Sequence, residues 1–569
     1  MMSPQSMHNT DYDYKRTFWL LFLVAAVVIL AGIGLRDPWP ADEPRFVEVA
    51  KEMVNSGNWF FPMRGGELYP DKPPVFMWLL ASLYWLTGSL KATFLIPDAL
   101  ASLVSLFCVF DIAAKLWNVK TARNACLLLL ITPQFIIQSK SAQIDATVAC
   151  WIMIAMYGLL RHFFYQASFK WYLASWAFMG LGIITKGVGF LPLFLLVPVL
   201  FLHFTGKHRF EKAQINWSLL IGPLMMLLVV AAWLLPMLYI ADHSNNPDFI
   251  AYRDNILFKQ TGQRYADSWG HIQPWYYFLV DVIPLLWFPL YTFLFTKSFW
   301  REVKVSPVVF SMLLWVVLVI VFFSISPGKR NLYILPALPV MALVMGGHFT
   351  KTGLQTWFKR VLQVGFVLLG SLFMVAAVMC FTKSHAVTKQ VGDHTLPFGM
   401  LFLAASLCWF VILLWKRNKV DLSAYWAAFA ITWILYSTVG YVLFNPIRTP
   451  AKGIMAAVAH DIGPNGQLGM TRFKEQFLLF SPIPLTQFSY LASTQEQDRN
   501  AWLWMSEKAD RYVMTARDKN IQCFDLSKAK DLGRAHGKDW ILLSEKAMTP
   551  TCPRPKTIKR YYLPMKTLY

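Results

Sequence analysis

The chain has 569 residues, 56% of them hydrophobic, 16% aromatic and only 15% charged. That composition excludes an ordinary soluble globular protein, and a disordered one more firmly still. The formal net charge is +21, but Lys and Arg gather in short loops between apolar runs, which argues against a nucleic-acid partner.

In chain order, Lys15 and Arg16 precede a first apolar run at 17–35. It is too long for a signal-peptide core, and no clear small-residue cleavage site follows, so an uncleaved anchor is expected. The loop 36–91 contains DPWPADEPRFVEVAKEM, in which Phe46, Val49, Ala50 and Met53 repeat at helical spacing. Glu48, Lys51 and Glu52 fall on the other face, which predicts an amphipathic helix at the membrane surface. Asp42 and Glu43 head it, either as a cap and first-turn acid or as functional carboxylates.

The next stretch, YPDKPPVFMW (69–78), leads into the apolar run 75–86. Further spans are expected at 92–111, 124–139, 147–161, 171–185, 188–204, 217–239, 275–296, 306–324, 332–348, 361–381, 396–415 and 423–443, about thirteen in all with 75–86 omitted. Parity supports the omission. With Lys15 and Arg16 in the cytoplasm, skipping 75–86 also leaves five basic loops there: Lys115/Lys120/Arg123, Lys207/Arg209/Lys212, Lys297/Arg301/Lys304, Lys351/Lys359/Arg360 and Lys416/Arg417/Lys419. Counting it as a span would export all five. Residues 75–86 are therefore expected to lie in the interface, with Pro73 and Pro74 in the first helical turn.

Asp145, in SAQIDATVACW, falls at the outer mouth of a span, where a carboxylate is costly unless paired or facing a wet cavity. Lys186, in IITKGVGF, occupies a tight turn and either snorkels or adds positive charge to that cavity. The outer loop 240–274 carries Arg264 and His271 and leads into Trp275, Tyr276 and Tyr277, which read as an interface belt. SPGKRNLYILP then places Lys329, Arg330 and Tyr333 on the outer side, against the trend of basic residues inside. Arg264 is suited by its fork to phosphate oxygens.

Five cysteines, Cys108, Cys126, Cys150, Cys380 and Cys408, lie in apolar runs and read as small buried hydrophobes. Cys523 and Cys552 lie in the polar segment 445–569, where a disulfide is allowed if the segment is outside the cytoplasm. The reading is thus mainly α: a polytopic membrane domain over 1–444, and a small external α/β domain over 445–569.

Together these residues describe an outward-facing cavity with carboxylates Asp42, Asp71 and Asp145 and cations Lys72, Arg264, Lys329 and Arg330. The cations suit a phosphate or diphosphate head group, and the apolar helices suit a lipid tail. A carboxylate among them would act as a base or stabilise charge at a sugar anomeric carbon. No Walker sequence, HExxH or Gly-rich dinucleotide loop is present.

At these residues the chain resembles a known family. DEPRFVEVAKEMVNSGNWFFPMRGGELYPDKPP is similar to the first periplasmic loop of bacterial lipid A 4-amino-4-deoxy-L-arabinose transferases, within the GT-C protein-mannosyltransferase-like superfamily. The order IDAT, TKG, NPDF…QRY…PWYYF and GKRNLYILP continues the resemblance over about residues 15–345. The resemblance implies a GT-C fold in the bacterial inner membrane, with the active site and C-terminal domain facing the periplasm. It implies inverting transfer of a sugar from undecaprenyl phosphate to lipid A phosphate. Asp42 then matches the catalytic-loop aspartate and Asp145 a second functional aspartate. Lys72, Arg264 and Tyr333 match residues around the carrier phosphate, with Lys329 and Arg330 beside them and Glu43 and Lys186 in support. The family's EKP is DKP here, so Asp71 replaces a glutamate associated with a divalent metal, and Lys259 stands near the place of a partnering histidine. No cofactor is implied firmly. Protein or other-glycan transfer on the same scaffold, and a transporter of lipid-linked sugars, are the alternatives.

Overall fold

The computed structural model describes residues 4–258, 271–392, 394–416 and 419–564, with side chains from Asp13 onward. The chain forms two compact units. One takes residues up to Ile33, Asp71–Phe76 and Leu95–Gly440; the other takes Gly34–Pro70, Met77–Phe94 and the chain from Tyr441. The first loop thus clusters with the C-terminal segment, a grouping that differs from the continuous division at 444.

The first nine helices are α1 (Pro4–Leu30), α2 (Glu43–Ser56), α3 (Val75–Thr87), α4 (Leu90–Thr93), α5 (Ile96–Leu116), α6 (Val119–Leu130), α7 (Pro133–Ser139), α8 (Ile144–Leu160) and α9 (Phe169–Lys186). Among the described residues seven helical segments are long and apolar enough to cross a membrane: Leu90–Leu116, Ile144–Tyr165, Trp217–His243, Pro307–Ile325, Thr356–Phe381, Thr395–Trp415 and Leu422–Arg448. Each overlaps an expected span. Of the other six expected spans, 17–35 falls on the 27-residue α1 and 171–185 on the 18-residue α9, while the remaining four are interrupted or short. Residues 124–139 break at Pro133 between α6 and α7, where a proline removes a backbone donor. Residues 275–296 fall into short turns around Pro284 and Pro289. The run at 332–348 gives a helix of only 16 residues, Ala337–Thr352.

Helix α3 has 13 residues, a rise of about 20 Å against a bilayer core of about 30 Å. It is too short to span. Its prolines stand just before Val75 rather than inside the first turn, because the residue preceding a proline is driven away from helical geometry.

Within the first unit, α5 and α8 are the enclosed helices. In their spans 78% and 83% of an apolar stretch is buried, against 11% for Trp217–His243, which faces outward along most of its length. Apolar residues on all sides suit a helix surrounded by others. The second unit carries a six-stranded sheet in the order β6-β7-β5-β3-β4-β8. Strand β3 (Gln467–Met470) is parallel to β4 (Leu485–Gln487) and β5 (Arg511–Ala516). Strands β6 (Lys530–Ala535), β7 (Lys538–Leu543) and β8 (Tyr561–Leu563) join antiparallel. Met470, Phe477, Leu485 and Trp540 lie in its core.

A short hairpin from the first loop, β1 (Met63–Arg64) with β2 (Glu67–Leu68), belongs to the same unit. Gln487 donates to the Gly65 carbonyl at 2.8 Å, Ser489 to Glu67 at 2.5 Å and Tyr490 to the Leu68 carbonyl at 2.6 Å, while Arg64 pairs with Glu475 at 2.6 Å. Helix α2 is amphipathic as expected, but part of its polar face is buried. Glu48 and Lys51 are buried, and Gly65 and Gly66 donate their backbone N–H groups to Glu48 and Glu52, each at 3.0 Å. Both glycines have positive φ, so the turn presents adjacent N–H groups to the two acids.

Candidate active site

In the first unit, α8 starts after Gln143, whose extended backbone makes it the cap, and places Asp145 in the first turn. The positive end of a helix dipole favours a carboxylate there. Helix α9 ends at Lys186, in a last turn that favours a cation, and Gly187 closes it at φ 85. Lys186 Nζ and Asp145 Oδ1 form an ion pair with side chains 13% and 8% exposed. The same ammonium lies 4.8 Å from the centre of the Tyr333 ring, within cation–π range. Three residues singled out separately in the sequence are therefore brought together: Asp145, Lys186 and Tyr333.

Lys329 is buried, and its Nζ donates to the carbonyls of Gln273 at 2.8 Å and Ser326 at 2.6 Å. Its backbone N–H donates to His271 O at 2.9 Å, beside a bridge between Ile272 and Gly328. Two of its three donors thus fasten segment 271–273 to segment 326–329. Burial lowers the pKa of this ammonium from its ordinary value. Arg330 is half-buried, with extended backbone just before the short turn Asn331–Ile334 that carries Tyr333.

Lys72 and Asp71 are half-buried in the same unit, and Tyr252, on the helix Pro247–Asp254, donates its hydroxyl to the Lys72 carbonyl at 3.4 Å. Arg264 and Lys259 lie outside the described residues. Among the described residues no three His, Cys, Asp or Glu side chains gather so as to hold a metal ion.

In the second unit, Asp42 occupies the cap position of α2 without a side-chain capping bond. Its carboxylate accepts from Arg45 Nη2 at 2.6 Å and is 9% exposed as a residue. Capping does not account for it. Glu43 is different. It accepts from Arg36 Nη2 at 2.7 Å and from the Trp39 backbone N–H at 2.8 Å, in a buried, forked pair with Arg36. The Arg36 guanidinium lies 4.4 Å from the Trp39 ring, 5.2 Å from Phe94 and 5.1 Å from Tyr441. Asn445 completes this framework by accepting from Asp37 N and Trp39 Nε1 and donating to Asp37 Oδ2. Arg36, Asp37 and Asn445 escaped the sequence reading. Asn445 lies 408 residues from Asp37 and carries no local signal, whereas an Arg-Asp pair closing an apolar run was visible as an intramembrane-edge charge.

The fold and these clusters define a polytopic membrane protein that presents a buried carboxylate–ammonium–phenol group in its helical unit. The family described as dolichyl-phosphate-mannose-protein mannosyltransferase matches residues 71–235. The undecaprenyl phosphate-alpha-4-amino-4-deoxy-L-arabinose arabinosyl transferase of Aeromonas hydrophila is 29% identical over 424 residues, 72% of this chain and 74% of that one. The protein of the same name from Pseudomonas savastanoi pv. phaseolicola is 28% identical over 488 residues, 81% of this chain and 87% of that one. The crystal structure of ArnT from Cupriavidus metallidurans bound to undecaprenyl phosphate superposes with a TM-score of 0.71 at 19% identity, covering 94% of this chain and 99% of that one. These findings fit the GT-C family of membrane glycosyltransferases.

Proposed function

We propose that this protein transfers a sugar, 4-amino-4-deoxy-L-arabinose, from undecaprenyl phosphate to a phosphate of lipid A on the periplasmic face of the inner membrane. The observation that carries the proposal is the Asp145–Lys186–Tyr333 cluster, set in a fold shared with ArnT. An acceptor phosphate oxygen attacks the anomeric carbon as the bond from that carbon to the carrier phosphate breaks. The electron pair leaves on the carrier phosphate, and the configuration inverts. Charge is conserved, because one phosphate oxygen replaces another, and no ATP is required. Lys72, Arg264, Tyr333, Lys329 and Arg330 are the residues proposed to hold the carrier phosphate. Their positive charge stabilises the leaving group where charge develops. An acceptor phosphate is already an anion, so Asp42 and Asp145 serve to orient the sugar and offset positive charge on its ring rather than to remove a proton.

Two features support the orientation. Cys523 and Cys552 are disulfide-bonded across 29 residues of the second unit, which suits an oxidising compartment. The basic loops fall on the opposite side by parity. Protein glycosylation is the second reading, favoured by the family match over 71–235. Purified protein supplied with the undecaprenyl-phosphate amino sugar and with lipid A or a Ser/Thr-rich peptide separates the two. Transfer to lipid A alone is expected, and transfer to peptide alone overturns the proposal.

A further inference from the structure

Helix α8 begins without the usual means of fixing its first turn. In a capping box a Ser or Thr at the cap bonds forward, and a Glu or Gln three residues on reaches back to the cap's own N–H. Here the cap is Gln143, whose side chain makes no capping bond. The residue three positions on is Ala146, which has nothing to offer. The missing acceptor comes from another helix. Asp98, in the first turn of α5, accepts the Gln143 backbone N–H on Oδ2 at 2.6 Å and the Thr147 hydroxyl on Oδ1 at 2.6 Å. Asp145 sits midway between those two points.

We propose that Asp98 is a positioning residue for Asp145, acting as the reach-back member of a capping box supplied from α5. The inference rests on the reading of Asp145 as a functional carboxylate. Asp98 is 0% exposed, so it meets no substrate and acts through the helix it holds. A carboxylate buried in an apolar bundle is costly unless it is well hydrogen-bonded. An apolar side chain at this place would leave the Gln143 N–H without its acceptor. The other end of the segment is fixed as well. Lys140 Nζ donates to the carbonyls of Ile29 at 3.2 Å and Ala31 at 3.0 Å, at the C-terminal end of α1. Residues 140–147 are thus tied to α1 on one side and α5 on the other. Lys186 approaches from α9, so the meeting of Asp145 with Lys186 depends on where the first turn of α8 stands.

The test is steady-state transfer by purified full-length protein with the undecaprenyl-phosphate amino sugar and lipid A. Asp98→Ala is expected to lower kcat about 10- to 100-fold, the scale of a small displacement at a reacting centre, with the donor KM nearly unchanged. Asp98→Asn is expected to stay within about threefold, because its amide oxygen accepts from Gln143 and its NH2 donates to the Thr147 oxygen. In an Asp145→Asn background, Asp98→Ala should cost nothing more, since both changes remove one function. Full activity of Asp98→Ala, equal losses for Asp98→Asn and Asp98→Ala, or losses that multiply in the double variant would each overturn the inference. If Asp98→Ala fails to fold, Thr147→Val against Thr147→Ser decides: a lower kcat for valine alone supports the role, and wild-type kcat for valine overturns it. An Asp145→Asn variant of full activity sinks the reading beneath the inference. An inactive Asp145→Asn beside an unaffected Asp98→Ala sinks the positioning role alone.

Discussion

Asp145 and Lys186 are buried together, so each is the other's main electrostatic surrounding. Removing one charge leaves the other desolvated and unpaired, which costs about 3–5 kcal/mol, whereas replacing both often costs little. Lys186→Met should therefore lower thermal stability sharply, and Asp145→Asn with Lys186→Met should recover most of it while transfer stays lost. Melting curves and transfer assays on the three variants check this. Recovery of activity in the double variant would make the pair structural only. Glu43 behaves otherwise. Its fork to Arg36 is a strut, so Glu43→Gln should reduce stability by about 1–3 kcal/mol through a weakened charged hydrogen bond, with donor KM unchanged.

At the scale of elements, α2 and the 63–68 hairpin are coupled through two acids on successive turns of one helix face. Burial, then the neighbouring Glu52, holds the Glu48 carboxyl well above the usual carboxylate range. The sign follows directly. A native pKa raised above the unfolded value favours the folded state when the group is protonated, and that contribution is lost as pH rises from the ordinary carboxylate value toward the native one. Glu48→Gln imitates the protonated acid, so it should melt higher than wild type at pH 8, with the difference shrinking toward pH 5. A pH-independent difference would contradict this account.

The amphipathic period of α2 was legible in the sequence, as were the apolar runs that carry the seven long helices. The burial of the polar face of α2 was not legible, because its partners are backbone N–H groups of a hairpin turn, which no side-chain pattern announces. Asp145 was legible as a carboxylate at the mouth of a span and Lys186 as a charge in a tight turn, while Tyr333 was singled out through the resemblance. Their convergence was not legible, since it depends on helices α8 and α9 and a turn far along the chain. Prolines interrupt the helices within the runs 124–139 and 275–296: hydropathy averages over such breaks, while backbone hydrogen bonding does not.

For the whole molecule, the Cys523–Cys552 bond closes a long loop in the second unit. Its removal by the paired serine variant should cost roughly 3–4 kcal/mol by loop-closure entropy, read as a lower melting temperature that reductant no longer shifts. Orientation is checked by an impermeant thiol reagent on intact spheroplasts. Cysteines placed at Asn55 and Lys519, both exposed, should label from outside, and one at Lys207 only after permeabilisation. The reverse pattern would invert the topology. The central claim concerns chemistry, and lipid A itself reports it. Mass spectrometry of lipid A from cells carrying the wild-type protein, no protein, or Asp42→Asn should show an amino-pentose on phosphate in the first case alone. An identical lipid A profile in all three would contradict the assignment.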